Sequence, residues 1–232
     1  MRGRPGLPSR YKVPWPDLFE TRVRSSLASG VRVLDVGAGS RPTIAPEDRP
    51  ASCFYAAIDV SRPELERASA GSYDTIWEHD VAEYLPSLVQ QFDLIVSWDV
   101  LEHVRPLGVA IENLRSYLRP GGRLIAQFSG AFSVFAVANR ILPRRVKKAL
   151  LSTLLARDPA TTFSAFYDHC SYRGLTELSA GWSQADIVPL YHGADYFNFS
   201  KILQQAYLRY ENWALAKDHR NLATHYLVDV VR

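Results

Sequence analysis

Two glycines spaced one apart close an apolar run, where Val33-Leu34-Asp35-Val36 breaks into Gly37-Ala38-Gly39-Ser40. Glycine takes positive φ readily and lets a ligand approach the main chain, so such a turn at the end of a strand suits a nucleotide-like cofactor. At about 20 residues past the turn, the spacing of a ribose-binding acid in a nucleotide-binding unit, the run Phe54-Tyr55-Ala56-Ala57-Ile58 ends in Asp59-Val60. A carboxylate there can accept two sugar hydroxyls. A third run, Tyr73 to Asp80, also ends in an acid, and a fourth, Phe92 to Asp99, leads into Val100-Leu101-Glu102-His103-Val104. Four strands thereby deliver polar side chains to one rim.

The elements that must position these residues follow from periodicity and punctuation. After an extended tail rich in Arg, Gly and Pro over residues 1–16, the pattern predicts a helix over 17–29 capped by Asp17. Then come strands at 31–37 and 54–60, helix 62–70, strand 73–79, helix 83–91, strand 92–98, helix 106–118 and strand 122–129. Pro120-Gly121-Gly122 reads as a stop before the fifth strand. A helix at 173–181 and strands at 186–191 and 225–230 complete the set. Alternating strands and helices imply an α/β fold, a mostly parallel sheet covered on both faces. Residues 17–232 are expected to form one domain with two insertions, at about 131–169 and 193–221.

Composition agrees with that. The chain has 232 residues, 47% of them hydrophobic and 22% charged, enough for one well-buried α/β domain and too few for two ordinary ones. Cys53 and Cys170 lie far apart, with no Cys-x-x-Cys and no histidine cluster at ligand spacing, so neither a disulfide framework nor a metal site is expected. A reducing cytoplasm suits this usage. No apolar stretch reaches the roughly 18 residues of a membrane span, and the Arg/Pro-rich start lacks the core of a signal peptide.

Taken in order, Val33-Leu34-Asp35-Val36-Gly37-Ala38-Gly39, Ile58-Asp59, His79-Asp80-Val81, Phe92-Asp93-Leu94-Ile95-Val96 with Leu101-Glu102-His103-Val104, and Leu118-Arg119-Pro120-Gly121-Gly122-Arg123-Leu124 resemble the class I S-adenosylmethionine-dependent methyltransferases, in particular the small-molecule branch. The resemblance is dense over about residues 31 to 130. It implies a Rossmann-like, seven-stranded, mostly parallel sheet whose last strand inserts antiparallel between the fifth and sixth, with helices on both faces and helical lid insertions. It implies S-adenosyl-L-methionine as cofactor. Gly37 and Gly39 would pass under its methionine part, with Asp35 near the amino group. Asp59, followed by Val60, would hold the ribose hydroxyls, Asp80 the adenine amino group and Val81 an adenine nitrogen through its N–H. Ser97 and Trp98 would end the fourth strand beside the sulfonium. The departure is Ser40-Arg41-Pro42, where many relatives carry another glycine and a long helix; Pro42 and Pro46 leave room for a short turn.

With a sulfonium making the methyl carbon electrophilic, the protein has to align an acceptor, exclude water and, for a hydroxyl, accept a proton. His103 leads the candidates for that base, since imidazole titrates near neutrality and the residue follows the fourth strand; the alternative is that it structures its loop. Tyr167 and His169, near the end of the first insertion with Asp168 between them, and His192, at the end of the sixth strand, are the others. The second insertion is dense in aromatics: Tyr196, Phe197, Phe199, Tyr207, Tyr210 and Trp213. Tyr207 and Tyr210 recur at helical spacing, which more often marks a packing face than a binding surface.

The run Arg140 to Leu151, with Arg144, Arg145, Lys147 and Lys148 beside Val146, Leu150 and Leu151, reads either as a solvated lid face or as an amphipathic helix that meets an anionic membrane or an acidic, lipid-linked acceptor. Net charge is +3 and no RNA- or DNA-binding motif accompanies the run, so nucleic acid is a minor alternative. The expected activity is methyl transfer to a small-molecule acceptor, foremost the hydroxyl of a sugar, glycolipid or secondary metabolite. The alternatives are an NAD-type oxidoreductase, against which the missing third glycine counts, and a non-catalytic S-adenosylmethionine-binding protein. Neither the acceptor nor the oligomeric state follows from the sequence.

Overall fold

The computed structural model describes residues 7–12, 16–134, 136–137 and 165–232. The central apolar runs form five neighbouring strands in parallel register: β1 (Arg32–Val36), β2 (Phe54–Asp59), β3 (Thr75–Glu78), β4 (Phe92–Trp98) and β5 (Leu118–Ser129). With β6 (Gln184–Leu190) and β7 (His225–Val231) the sheet runs β3-β2-β1-β4-β5-β7-β6, β7 being antiparallel to both of its neighbours. Chain order reverses between β1 and β4, and a crevice outside the carboxyl ends of the strands at such a point is where ligands bind in open α/β sheets.

Alternate residues of the strands feed opposite layers. Leu34, Ile58, Ile95, Leu124 and Phe128 pack toward α3 (Leu107–Tyr117) and α4 (Tyr172–Leu178). On the other face Val33, Tyr55, Leu94, Val96, Ile125 and Leu227 pack with Phe19 and Val23 of α1 (Pro16–Ser26). An ionic clamp reinforces that docking: the buried Asp229 carboxylate accepts from Arg22 at 2.8 Å and from both Nε and Nη2 of Arg123 at 2.5 and 2.7 Å. Asp229 is the member on which the clamp depends, since removing either arginine leaves its carboxylate the other.

Several elements depart from expectation. No helix forms over 83–91; a single 3-10 turn, Pro86–Leu88, replaces it. The Asp80 carboxylate accepts the Ala82 N–H and the Tyr117 hydroxyl accepts the Leu85 N–H, so local backbone donors are spent outside any helix. The helix expected at 62–70 is one short segment, α2 (Arg62–Glu66). Pro16 opens α1, which puts Asp17 inside its first turn rather than at the cap. Pro120-Gly121-Gly122 does not precede β5 but lies within its bounds, as an irregularity where the pairing jumps from Phe92↔Leu118 to Leu94↔Arg123. The second insertion folds as a 3-10 turn at Gly193–Phe197, helix α5 (Lys201–Ala216) and a 3-10 turn at Arg220–Leu222. Of the first insertion only its ends are described, joined by the Ala131 N–H donating to the Cys170 carbonyl at 2.6 Å; the basic run Arg140 to Leu151 lies outside the described residues.

Candidate active site

The glycine turn leaves β1 with Gly37 at φ 71° and Gly39 at φ 51°. Gly37 is required twice over, since a Cβ there would sit 2.3 Å from the Val100 side chain as well as in a left-handed conformation. The Gly39 N–H donates to Asp59 Oδ2 at 3.0 Å and the Ser61 N–H to Oδ1 at 2.8 Å. Two main-chain donors thus orient both oxygens of Asp59 at the end of β2, and each oxygen keeps a lone pair. Beneath the turn the Tyr73 hydroxyl donates between the carbonyls of Ala38 and Gly39, 3.2 and 3.1 Å away.

Asp35 stands next to the last residue of β1, just before the glycine turn. It is fully buried; its Oδ2 accepts the Thr43 N–H at 2.7 Å and the Tyr55 hydroxyl at 2.6 Å, and its Oδ1 accepts the Thr43 hydroxyl at 2.8 Å. No exposed oxygen remains for a cofactor amino group. Burial raises its pKa to about 6, against the opposing pull of the Tyr55 and Thr43 hydrogen bonds and the Arg49 charge. This network pins the loop that replaces the long helix after Gly39.

Further along the rim, Val60 is 55% exposed. Asp80 is exposed, while Val81 turns its side chain inward and its carbonyl accepts the Asn113 amide at 2.9 Å. Ser97 is buried and donates to the Val36 carbonyl at 3.2 Å. The Trp98 ring packs edge-on to Phe19 of α1, 4.8 Å between centroids. These residues fit S-adenosylmethionine: a carboxylate with pre-oriented oxygens for a diol, a backbone turn open enough for an extended chain, and, for a purine, the exposed Val60 side chain with the exposed acid Asp80 further along the rim.

Of the four candidate bases the structure brings two to one place. His103 ends the 3-10 turn Leu101–His103 directly after β4, its N–H held by the Val100 carbonyl at 2.8 Å. Tyr167 is buried with φ 54°, and its N–H and that of Phe166 both donate to the Glu102 carbonyl, at 3.0 and 2.9 Å. The end of the first insertion is therefore stitched to the turn that carries His103. His169 goes elsewhere: exposed, its Nδ1 lies 2.9 Å from Asp168 Oδ1, and Asp168 Oδ2 accepts the Leu107 N–H at the start of α3. Burial opposes charge on Asp168, but the Leu107 N–H, His169 and Arg105 outweigh it and hold the carboxyl below its ordinary range. His192 lies over β6, its Nε2 against the Arg10 carbonyl at 2.9 Å and its ring edge-on to Tyr11. Burial pushes its pKa down, the Arg10 carbonyl and Glu211 pulling the other way.

Three further residues lie on this side of the rim, and two of them, Glu211 and His225, carry no local signal in the sequence. Glu211 of α5, almost fully buried, accepts from Gly193 N–H at 2.6 Å, Tyr11 Oη at 2.5 Å and Arg10 Nη2 at 3.1 Å. His225 opens β7 opposite Ser129 and meets the Tyr196 hydroxyl at 3.2 Å. Burial, and then the neighbouring His192, lower its pKa to about 4. Gln127 is a buried amide near the end of β5; a polar residue inside the otherwise apolar run Leu124 to Phe128 is the one hint the sequence offers.

The sequence matches the profile of the family described as "Methyltransferase domain" over residues 11–189, more than half of the chain. The chain belongs to this methyltransferase family. Its sheet is that of the class I, S-adenosylmethionine-dependent fold. Among curated proteins, this methyltransferase is 30% identical over 97 residues to the ubiquinone biosynthesis O-methyltransferase of Chelativorans sp., covering 40% of this chain and 38% of that one. To the protein of the same name from Agrobacterium fabrum it is 30% identical over 127 residues, half of each chain. The matches thus span half or less of these relatives. Among solved structures, phosphoethanolamine N-methyltransferase 2 of Haemonchus contortus in complex with S-adenosyl-L-methionine superposes with TM-score 0.55 at 13% identity, over 94% of this chain and 52% of that one. An S-adenosylmethionine-dependent methyltransferase from Mesorhizobium loti gives 0.53 at 20% identity, over 94% and 97%. At such identities the likeness is one of fold.

Proposed function

We propose that this methyltransferase holds S-adenosylmethionine over the ends of β1, β2 and β3 and methylates a hydroxyl of a small molecule lodged beyond β4. The observation that carries the cofactor half is Asp59, whose two oxygens are set by the Gly39 and Ser61 N–H groups at the edge of the glycine turn. When bound, the cofactor supplies a sulfonium-activated methyl group. In this reading Asp59 takes both ribose hydroxyls, Val60 lies beside the adenine, the Val81 N–H meets an adenine nitrogen, Asp80 meets its amino group, and Gly37 and Gly39 leave space for the methionine chain. Ser97 and Trp98 close the floor. Asp35 acts at one remove, by fixing Thr43 and the loop after Gly39.

His103 would take the proton of the acceptor hydroxyl, whose oxygen would receive the methyl group that the cofactor supplies. Its place directly after β4, beside the stitched Tyr167 turn, supports that role; His169 lies exposed against Asp168 at the start of α3, and His192 follows the end of β6 against the Arg10 carbonyl. A hydroxyl acceptor accords with the printed names of the curated relatives, both O-methyltransferases. Sugars, glycolipids and secondary metabolites stay in the reading as sources of that hydroxyl. Among the described residues no helix is long and apolar enough to cross a membrane, so a lipid-linked acceptor would be met from the surface. Titration calorimetry with S-adenosylhomocysteine tests the cofactor half; binding of NAD instead would overturn it. Incubation with methyl-labelled cofactor and a metabolite extract, followed by identification of the labelled product, tests the acceptor class.

A further inference from the structure

Gln127 lies in β5 in register with Trp98 of β4 on one side and Leu227 of β7 on the other. Trp98, Leu227 and the neighbouring Ile125 belong to the apolar layer under α1, so Gln127 faces that layer near the carboxyl end of the strand. It is fully buried, and among the described residues neither its Oε1 nor its Nε2 has a hydrogen-bond partner. Its main chain, in contrast, is satisfied, the carbonyl accepting the Asp99 N–H at 2.7 Å. A buried amide in this state has given up its hydrogen bonds to water and received nothing in return, and such groups in native folds call for an explanation. An apolar residue of similar size would serve packing better.

The position supplies the explanation. Gln127 is one strand, about 5 Å, from Trp98 at the end of β4, and the rim above it carries His103 on the β4 side and His225 with Tyr196 on the β7 side. We infer that Gln127 is an acceptor-positioning residue, its Nε2 donating to one oxygen of the acceptor while its Oε1 accepts from the adjacent O–H. The inference rests on the methyl-transfer reading above and deepens it. An uncharged amide presenting a donor beside an acceptor selects a neutral molecule with the complementary pair, two neighbouring hydroxyls or a hydroxyl beside an ether or carbonyl oxygen. Pairing both atoms turns one contact into an orientation, which a single hydroxyl cannot provide. A site built around paired polar groups also rejects analogues lacking one of them, because a buried amide atom is then left unsatisfied.

The test uses the full chain saturated with S-adenosylhomocysteine, labelled with ¹⁵N in its glutamine side chains. The probes are catechol and cis-1,2-cyclohexanediol, which carry adjacent hydroxyls, with phenol and cyclohexanol as single-hydroxyl counterparts. At least one diol should shift the Gln127 side-chain NH2 signals and bind about tenfold more tightly than its counterpart. In Gln127→Met that preference should vanish, with S-adenosylhomocysteine affinity unchanged within about twofold and the urea midpoint no lower than the parent's. If no diol perturbs the Gln127 signals, or if the Met variant keeps the same preference, the inference falls. A failure of S-adenosylhomocysteine to bind the parent would be seen before any probe is added, and would count against the methyl-transfer reading itself.

Discussion

Tyr11 donates its phenolic hydroxyl to Glu211 Oε2 across 2.5 Å, joining residues 200 positions apart. The same hydroxyl accepts the Ala194 N–H at 3.0 Å, and Glu211 Oε1 accepts the Gly193 N–H at 2.6 Å and the Thr224 hydroxyl at 3.3 Å. Burial, and next the Glu211 carboxylate, push the Tyr11 pKa far above its ordinary value, so the phenol stays a donor. The start of the described chain, the exit from β6 and helix α5 are thereby one hydrogen-bonded unit over the rim of β6 and β7.

Tyr11→Phe should destabilise the protein by about 1–3 kcal/mol, since it strips a buried carboxylate of a donor and the Ala194 N–H of its acceptor. Urea unfolding measures the loss, and limited proteolysis should cut near residue 12 sooner in the variant than in the parent. An unchanged midpoint would mean that water replaces the phenol without cost.

Asp59→Ala should weaken S-adenosylhomocysteine binding by about 2–4 kcal/mol, through loss of hydrogen bonds from the ribose to a charged acceptor. Because Asp59 also holds the Gly39 and Ser61 N–H groups, the substitution loosens the turn as well as the ribose contact. Asp59→Asn keeps one acceptor oxygen and should fall between the two in calorimetry. Equal affinity for parent and Ala variant would remove Asp59 from the site.

The central strands and the glycine turn were legible because buried parallel strands are near-continuous apolar runs and because Gly37 and Gly39 stand where β1 ends. The place of Asp59 at the end of β2 followed from its spacing. What escaped depends on contacts distant in sequence. The helix at 83–91 is lost to the Tyr117 hydroxyl, 32 positions from Leu85; Asp35 is withdrawn by Tyr55 of β2; His192 is claimed by Arg10, 182 positions away. Nothing in a local pattern announces such partners. Gln127 gave only the hint of a polar residue within an apolar run; that its side chain is buried and without a hydrogen-bond partner among the described residues is a property of the folded sheet.

Two buried groups make opposite contributions to pH dependence. His225, with its pKa lowered to about 4, binds fewer protons folded than unfolded, so the stability it contributes is complete above about 6.5 and is lost as pH falls toward 4. Asp35, with its pKa raised to about 6, binds more protons folded than unfolded, so its contribution is complete below about 4 and is lost as pH rises through 6. The cost of His225→Gln should therefore shrink by about 3 kcal/mol between pH 7 and pH 4, and that of Asp35→Asn should shrink by a similar amount, about 3 kcal/mol, in the other direction. Urea titrations at pH 4, 5, 6 and 7 on parent and variants read both trends; a cost independent of pH would show that the residue does not titrate as its burial demands.

His103→Ala should lower turnover by about 100-fold or more while leaving S-adenosylhomocysteine affinity little changed, the pattern of a lost proton acceptor. Tyr167→Phe separates the neighbouring hydroxyl from the scaffold, because the Tyr167 N–H bond to the Glu102 carbonyl involves only the main chain and survives the substitution. His169 is spent on Asp168 at the start of α3 and His192 on the Arg10 carbonyl, so His169→Ala and His192→Ala should each leave turnover within about threefold of the parent. The pH profile adds a second readout, since a neutral imidazole base gives a rate that rises through its pKa, and that limb should disappear in His103→Ala alone. Near-normal turnover in that variant, with the rising limb intact, would move the base to Tyr167 and leave His103 as a residue that shapes the turn after β4.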